Sequence, residues 1–295
     1  MPGKQAEGGK AKAEHLGELT AGLYLTATPI GHAQDITLRA LDILKSVDLI
    51  AAEDTRVSSK LLAIHGISRP LVPYNDHNAA RERPRLLEKL KAGARIALVS
   101  DAGTPLVSDP GFKLVREAHM EGIAVHAVPG ASAVLIGLSL SGLPSDRFLF
   151  AGFLPAKSGE RRTALEELKS VRATLIFFES AQRLGETLAE METVLGLREA
   201  AVARELTKLH EEVRRGSLAA LASHYANSAP PKGEVTLLVG PPQEVEADFG
   251  KIEAALEAAL AFMPLKAASE LIAGLTGASR KDVYALGLKK KNAQV

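Results

Sequence analysis

The 295-residue sequence has no cysteine and no tryptophan, and only 4% of its residues are aromatic. Without cysteine the chain cannot form a disulfide framework, a thiolate zinc site or a cysteine nucleophile. No metal site is predicted from the remaining residues. A chain without cysteine fits a reducing compartment, so a cytoplasmic location is predicted.

Long apolar runs are also missing. No stretch approaches the ~18 consecutive apolar residues that a membrane-spanning helix needs, so no membrane partner is predicted. Residues 1–20 are rich in Lys, Glu, Gly and Ala and lack the apolar segment of a signal peptide, and we interpret them as a disordered tail. The net charge of +1 does not by itself indicate a nucleic-acid-binding protein.

Short apolar runs alternate with amphipathic stretches in the first half of the chain. Near-continuous apolar strands separated by helices indicate a parallel sheet covered on both faces. The sequence therefore predicts an α/β domain over residues 21–140. Its strands are predicted at 23–28, 48–52, 95–100 and 124–128, and its helices at 35–47, 58–65, 85–92 and 111–121.

A Gly- and Pro-containing break at residues 141–144 separates this part from a second predicted α/β domain, residues 141–243. Its predicted strands are 148–152, 173–179, 200–205 and 234–239, and its predicted helices are 161–170, 183–195 and 218–225. Beyond Pro242 the pattern becomes purely helical, which predicts a helical appendage over residues 250–295.

Loops rich in Gly, Pro and small polar residues follow four predicted strands of the first domain. Ligands of doubly wound sheets lie outside the carboxyl ends of the strands, so these loops predict a ligand site. Neither a Gly-x-Gly-x-x-Gly pattern nor a Gly-Lys-Ser/Thr phosphate loop is present, which disfavours NAD and ATP. A nucleoside-like ligand without phosphates fits better. The loops are residues 28–31, 53–56, 100–105 and 129–133.

The motifs in these and later loops resemble those of the tetrapyrrole methylase superfamily, over residues 23–288. More narrowly they resemble its branch that methylates cytidine 2′-hydroxyls of small-subunit ribosomal RNA. Asp-Ala-Gly-Thr-Pro (101–105) is typical of the whole superfamily, whereas Glu-Asp-Thr-Arg (53–56), Asp-His-Asn (76–78) and Arg-Glu-Leu-Thr-Lys (204–208) are typical of the RNA branch. The other matching segments are 28–31, 129–132, 144–148 and 152–155.

This resemblance implies a two-domain methylase fold with a parallel sheet in the first domain and a mixed sheet in the second. It also implies a homodimer, and S-adenosylmethionine bound in a cleft between the domains. The family's cofactor positions correspond to Pro29, Ile30, Gly31, Asp101, Ala102, Gly103, Thr104, Ala131, Ser132, Phe153, Leu154, Arg204, Glu205 and Leu206. Three positions depart from the family pattern. His32 stands where the family has Asn, and Ala181 and Gln182 stand where it has Pro and His.

A ribose hydroxyl is a poor nucleophile, so some group must accept its proton during methyl transfer. The candidate proton acceptors are Asp54, Asp101 and Glu205, and Lys208 is a candidate for steering phosphate or stabilising an alkoxide. Structural roles compete with these. Asp54 can cap the helix that follows it, Asp101 can form an Asx-turn, and Arg204 can pair with Glu205.

The candidate RNA contacts are His77, a run of cations that begins at Arg81, and a basic C-terminal segment. Phosphate contacts by such cations would be salt-sensitive, although a solvated helix face gives the same pattern. Residues 265–288 indicate a helix, a turn and a second helix, as in nucleic-acid-reading units. Packing of a small helical appendage is the alternative. The predicted contacts are His77, Arg81, Arg83, Arg85, Arg280 and Lys281.

Three functions compete at this point. The first is a 2′-O-methyltransferase that acts on a cytidine of small-subunit ribosomal RNA, with the small ribosomal subunit as its partner. The second is a methyltransferase that acts on a tetrapyrrole carbon, which leaves the basic helical C-terminus unexplained. The third is a ribosome-assembly factor that binds the cofactor without turnover.

Overall fold

The computed structural model describes residues 19–242 and 249–293. The predicted N-terminal tail falls outside these residues, apart from its last two positions. The first sheet contains β1 (Gly22–Thr26), β2 (Leu49–Ala52), β3 (Leu71–Pro73), β4 (Arg95–Val99) and β5 (Val125–Val128) in the order β3-β2-β4-β1-β5. Every neighbouring pair in this sheet is parallel, which confirms the predicted architecture.

Four helices accompany this sheet: α1 (Leu38–Ser46), α2 (Thr55–Ile64), α3 (Ala79–Lys91) and α4 (Phe112–Met120). A fifth helix, α5 (Ala133–Ser141), follows β5 in the chain and packs against the second sheet. The sequence prediction began α2 and α3 too late, because Asp54 starts α2 as its N-cap and Pro84 lies inside α3. It missed β3, which has three residues and ends at a proline. It also missed α5, whose apolar residues lie all around the helix.

The second sheet contains β6 (Phe148–Phe153), β7 (Thr174–Ser180), β8 (Glu199–Arg204), β9 (Glu212–Ser217) and β10 (Glu234–Val239) in the order β6-β7-β10-β8-β9. Only β6 and β7 run parallel, so this sheet is mixed. Its helices are α6 (Ser158–Leu168), α7 (Leu184–Leu195) and α8 (Leu218–Ala226). The charged edge strand β9 had no strand-like sequence pattern and was not predicted.

Apolar clusters cover both faces of the first sheet and one face of the second. A further cluster joins the two sheets. It packs Val134 and Leu138 of α5 against the second sheet, together with Ile30 from the loop after β1 and Leu206 from the loop after β8. Contacts hold the chain up to Pro242 in one compact unit. The domain boundary predicted near residue 141 therefore stays a prediction.

A second compact unit begins at Gln243. It contains α9 (Phe249–Leu260), α10 (Leu265–Thr276) and α11 (Arg280–Ala293), which confirms the predicted helical C-terminal part. Gly277, at φ 71°, ends α10 in the left-handed conformation that favours glycine. The unit has its own buried core of Ile252, Leu256, Ala268, Ile272 and Val283.

None of the helices within residues 19–242 and 249–293 is long and apolar enough to cross a membrane.

Candidate active site

The loops predicted to bind a ligand do meet at one edge of the first sheet. β1 continues to β2, which lies beyond β4, whereas β4 continues to β5, which lies beyond β1. The chain therefore leaves these two neighbouring strands in opposite directions, which opens a crevice at their carboxyl ends. There the backbones of Thr28 and Gly103 exchange two hydrogen bonds, at 2.9 and 3.1 Å.

A cavity of about 660 Å³ opens at this edge and is lined by residues from both sheets. One part of its wall is apolar, with Ile30, Val107, Phe153, Phe178 and Leu206. The carboxylate residues that line it are Glu53, Asp101, Asp109, Glu179 and Glu234. Such a pocket, mostly apolar with a few converging polar groups, is typical of a small-molecule site.

Eight of the residues predicted to contact the cofactor line the cavity: Ile30, Asp101, Ala102, Gly103, Thr104, Ser132, Phe153 and Leu206. Two other predicted residues, Ala131 and Leu154, are not lining residues but hold neighbouring side chains by hydrogen bonds. The Ala131 carbonyl accepts a hydrogen bond from the Thr104 hydroxyl at 3.2 Å, and the Leu154 carbonyl accepts one from Arg183 at 3.3 Å. Pro29, Gly31, Arg204 and Glu205 are not among the lining residues.

Gly31 makes a close contact between the two halves of the unit. A Cβ atom at this position would lie 2.5 Å from Cγ of Lys208, 2.7 Å from Oγ1 of Thr207 and 2.8 Å from the Leu206 carbonyl oxygen. The next residue, His32, donates its backbone N–H to the Thr207 hydroxyl at 3.1 Å. The loop after β1 thus needs glycine for its approach to the loop after β8.

Glu205 holds that second loop in place. Its Oε1 accepts hydrogen bonds from Nζ of Lys208 at 2.9 Å and from the backbone N–H of Glu234 at 3.1 Å. The Lys208 contact lowers the pKa of the Glu205 carboxyl. Arg204 donates instead to Glu212 at 3.1 Å and to the Lys232 carbonyl at 3.0 Å, so the pairing of Arg204 with Glu205 considered from the sequence is wrong.

Asp54 caps α2, as the alternative interpretation expected. Its Oδ1 accepts the backbone N–H of Arg56 at 2.8 Å, and its Oδ2 pairs with Nη2 of Arg56 at 2.5 Å. These hydrogen bonds lower the pKa of the Asp54 carboxyl to about 2. A carboxylate of such low basicity, already bound to a guanidinium, is a poor proton acceptor.

Three carboxyl groups of the cavity wall have a raised pKa, in contrast to the lowered pKa of Asp54. Burial raises the pKa of Glu53, of Asp101 and of Asp109, the last to about 6. The sequence interpretation named only Asp101. Glu53 lies directly after β2 and beside Asp54, a position that could have identified it. Asp109 stands in an Asp-Pro-Gly turn well beyond β4, where the sequence signals only a turn.

The cations predicted to contact RNA are mostly paired with acids. Arg81 and Arg85 both pair with Glu82, and Arg83 pairs with Glu117 at 2.8 Å while only 18% exposed. His77 is exposed. In the C-terminal unit Arg280 pairs with Glu270 at 3.3 Å, and Lys281 is exposed. Lys232, which the sequence interpretation did not name, lies at the cavity.

Comparison with known proteins decides the family. The model of the Tetrapyrrole (Corrin/Porphyrin) Methylases matches residues 22–222. The chain belongs to the tetrapyrrole methylase family. A second model, described as the RsmI C-terminal HTH domain, matches residues 246–291.

Two relatives of this tetrapyrrole methylase align with nearly the whole chain. It is 51% identical to the ribosomal RNA small subunit methyltransferase I of Mesorhizobium japonicum, over 93% of this chain and 94% of that protein. It is also 51% identical to the protein of the same name from Erythrobacter litoralis, over 92% of this chain and 96% of that protein.

Solved structures share the fold at lower identity. Diphthine synthase has a TM-score of 0.60 at 19% identity, covering 74% of this chain and 89% of that chain. The uroporphyrin-III C-methyltransferase of Thermus thermophilus has a TM-score of 0.55 at 23% identity, covering 75% and 94%. These similarities confirm the predicted fold class.

Proposed function

We propose that this protein transfers the methyl group of S-adenosylmethionine to the ribose 2′-hydroxyl of a cytidine in small-subunit ribosomal RNA. The observation that carries the proposal is the cavity at the switch point of the first sheet, in a chain that matches small-subunit ribosomal RNA methyltransferases almost from end to end. A ribosomal substrate implies action in the cytoplasm.

The cavity residues fit S-adenosylmethionine, a nucleoside that carries a sulfonium and an ammonium group. The apolar lining residues suit the adenosine, and the lining carboxylates suit the positive charges. Gly103, at φ 80°, lets the backbone come close to a ligand. Ile30, Asp101, Ala102, Gly103, Thr104, Ser132, Phe153 and Leu206 would contact the ligand, which supplies an activated methyl group when bound.

The four predicted catalytic residues make different contacts, and these contacts favour different roles. Asp101 lines the cavity, where it can contact a bound ligand. Glu205 and Lys208 pair with each other at 2.9 Å, and Lys208 also pairs with Glu234 at 2.8 Å, so we propose that both position the loop that carries Leu206. The contacts of Asp54 favour its role as a helix cap.

Asp54→Asn tests whether Asp54 accepts the ribose proton. Asparagine is an equally good N-cap, and the aspartate carboxylate is already bound by Arg56. We therefore expect the variant to methylate small subunits within a few-fold of the parent rate, with little change in melting temperature. A loss on the order of 10²–10⁴-fold, the usual contribution of a positioned base, would restore Asp54 as the acceptor.

The C-terminal unit is the proposed RNA-binding part. Arg280 and Lys281 lie in the first turn of α11, and the matched HTH model supports nucleic-acid contact by this segment. We propose that these side chains contact phosphates, which makes binding salt-dependent. His77 and the exposed cations Arg81 and Arg85 stay predicted contacts, whereas the ion pair and low exposure of Arg83 favour a structural role.

A double charge reversal, Arg280→Glu with Lys281→Glu, should weaken binding to small subunits and leave S-adenosylmethionine affinity unchanged. Filter binding across a salt series measures the first property, and calorimetry measures the second. Each lost phosphate contact should reduce the salt slope by about one. The matched control reverses the exposed cations Lys113 and Arg116 of α4. Equal weakening in both double variants would contradict a specific role for α11.

One experiment tests the proposed function as a whole. Small subunits are incubated with the protein and methyl-labelled S-adenosylmethionine, and mass spectrometry then locates the label in the digested RNA. A 2′-O-methylated cytidine supports the proposal. In a parallel reaction with a tetrapyrrole in place of the subunits, label on the tetrapyrrole without label on the RNA favours the C-methyltransferase. Binding to subunits without transfer in either reaction favours the assembly factor. We also propose a homodimer, which sedimentation of the free protein tests.

A further inference from the structure

The loop that follows β4 is held against both sheets of the first unit. Leu106 and Ser108 in this loop have φ values of 73° and 67°, in the left-handed region that non-glycine residues rarely adopt. Leu106 packs in the core of the first sheet, where Gly111 leaves room for it. Ser108 faces Gly152 of β6, whose missing Cβ would lie 3.5 Å from the serine Oγ.

This geometry directs Asp109 to the cavity. Val107, Ser108 and Asp109 all line it, next to Gly103 and Thr104 of the same loop. Strained backbone that surrounding packing holds in place is concentrated at functional sites in proteins. Among the described residues, the other two non-glycine residues with positive φ are Glu205 and Thr207, in the loop that brings Leu206 to the same cavity.

The other candidate carboxylates already accept hydrogen bonds that favour their ionised form. Asp54 is bound by Arg56. Asp101 accepts the backbone N–H of Asp54 at 2.9 Å, and Glu53 accepts that of Asp101 at 3.3 Å. Asp109 accepts its hydrogen bond from a rotatable side chain, the Ser100 hydroxyl, and not from the backbone. This hydroxyl also lies 3.3 Å from the Ala102 carbonyl oxygen, so it can turn to that acceptor and leave the Asp109 carboxylate to a new hydroxyl group.

We propose that Asp109 accepts the proton of the ribose 2′-hydroxyl during methyl transfer, an inference that rests on the function proposed above. The 2′-oxygen forms a bond to the methyl carbon while the methyl–sulfur bond breaks and its electron pair stays on sulfur. The hydroxyl proton passes to a carboxylate oxygen of Asp109. The products are the 2′-methoxy nucleotide, the neutral thioether and a protonated Asp109, which returns its proton to water.

The ionisation of Asp109 suits this role. Burial raises its pKa to about 6, and the nearby carboxylates of Glu53 and Asp101 raise it further. A base with a pKa slightly below neutral is mostly ionised at pH 7 and still basic enough to take a proton. Glu179, Glu234 and Lys232 also line the cavity. A cationic ligand beside these groups would stabilise the carboxylate form of Asp109.

The test compares Asp109→Asn with the parent and with Asp146→Asn, an exposed aspartate in the turn before β6. Three properties are measured: methyl transfer to small subunits, S-adenosylmethionine affinity by calorimetry, and melting temperature at pH 4 and pH 8. We expect transfer by Asp109→Asn to fall on the order of 10²–10⁴-fold. Its S-adenosylmethionine affinity should stay within about tenfold, and Asp146→Asn should match the parent throughout.

Melting temperature gives a readout that does not depend on the ligand. A carboxyl group whose pKa is raised in the folded state stabilises the fold below its unfolded pKa, and this contribution is lost as the pH rises through about 6. Asparagine is neutral at every pH. Asp109→Asn should therefore melt higher than the parent at pH 8 and should lose this advantage at pH 4.

Each outcome has a distinct meaning. If the parent transfers no methyl group to small subunits, the proposed function fails and the role of Asp109 fails with it. If the parent is active and Asp109→Asn keeps its rate within a few-fold, only the role of Asp109 is wrong. Loss of S-adenosylmethionine binding in parallel with transfer would make Asp109 a ligand-binding residue, and a lower melting temperature at pH 8 would make it a structural one. Either result overturns the proposal.

Discussion

Gly103→Val should lose at least about 100-fold of its affinity for S-adenosylmethionine. Gly103 has φ 80°, a conformation that is strongly unfavourable for a β-branched residue and costs ~1–3 kcal/mol. Its backbone is also held to Thr28 by two hydrogen bonds, so the chain cannot relax without opening the crevice. The Cβ of the new side chain would lie 3.4 Å from Cγ2 of Ile30, leaving little room for the two methyl groups that it carries. Calorimetric titration measures the loss.

Gly93→Val is the matched control for this variant. Gly93 has a similar φ of 90°, and an added Cβ would meet nothing within 4 Å. Both variants should therefore lose comparable stability through backbone strain, while only Gly103→Val loses ligand affinity. Full affinity in Gly103→Val would show that the ligand binds elsewhere.

Gly31→Ala should combine a loss of stability with a loss of ligand affinity. The added methyl would overlap Lys208, Thr207 and the Leu206 carbonyl oxygen. The two side chains can rotate, but the carbonyl belongs to a loop that Glu205 fixes to β10. Overpacking of this kind usually costs ~1–3 kcal/mol. The displaced loop carries Leu206 away from the cavity, so we expect affinity to fall roughly tenfold or more, a change of about 1.4 kcal/mol.

Thermal unfolding and calorimetry measure the two losses. Gly159→Ala serves as the control, because Gly159 lies in α6 with nothing within 4 Å of an added Cβ. Alanine in the first turn of this helix should keep or slightly raise the stability without touching the ligand. An unchanged melting temperature in Gly31→Ala would mean that the two loops do not need their close approach.

The fold was predictable from the sequence wherever burial leaves a periodic pattern. The four longer strands of the first sheet are near-continuous apolar runs between amphipathic helices, and both features survive in a single sequence. α5 was missed because it packs in the cluster between the two sheets and has no polar face to mark its period. β9 was missed because Glu212, Arg214 and Arg215 pair or point outward along a sheet edge.

The site was predictable only in part, for a different reason. Motif residues such as Asp101 and Gly103 follow a strand directly, so the parallel sheet alone places them at the cavity. Gly31 and Glu205 belong to motifs too, yet Gly31 packs against the β8 loop and Glu205 binds Lys208 and the backbone of Glu234, and no spacing in the sequence reveals these contacts. Asp109 reaches the cavity through two left-handed residues, a backbone path that only the folded chain shows.

The strand order of the first sheet has a consequence for the synthesis of the chain. β1 pairs with β4 and β5, so β1 leaves the ribosome before either of the strands that pair with it. At roughly 5–20 residues per second, β4 follows several seconds later. During that delay the apolar β1 lacks both of the strands that pair with it. The crevice between β1 and β4 therefore forms only after the chain has been made through Val99. The loop after β1 reaches its final packing later, once the β8 loop that it contacts has been made.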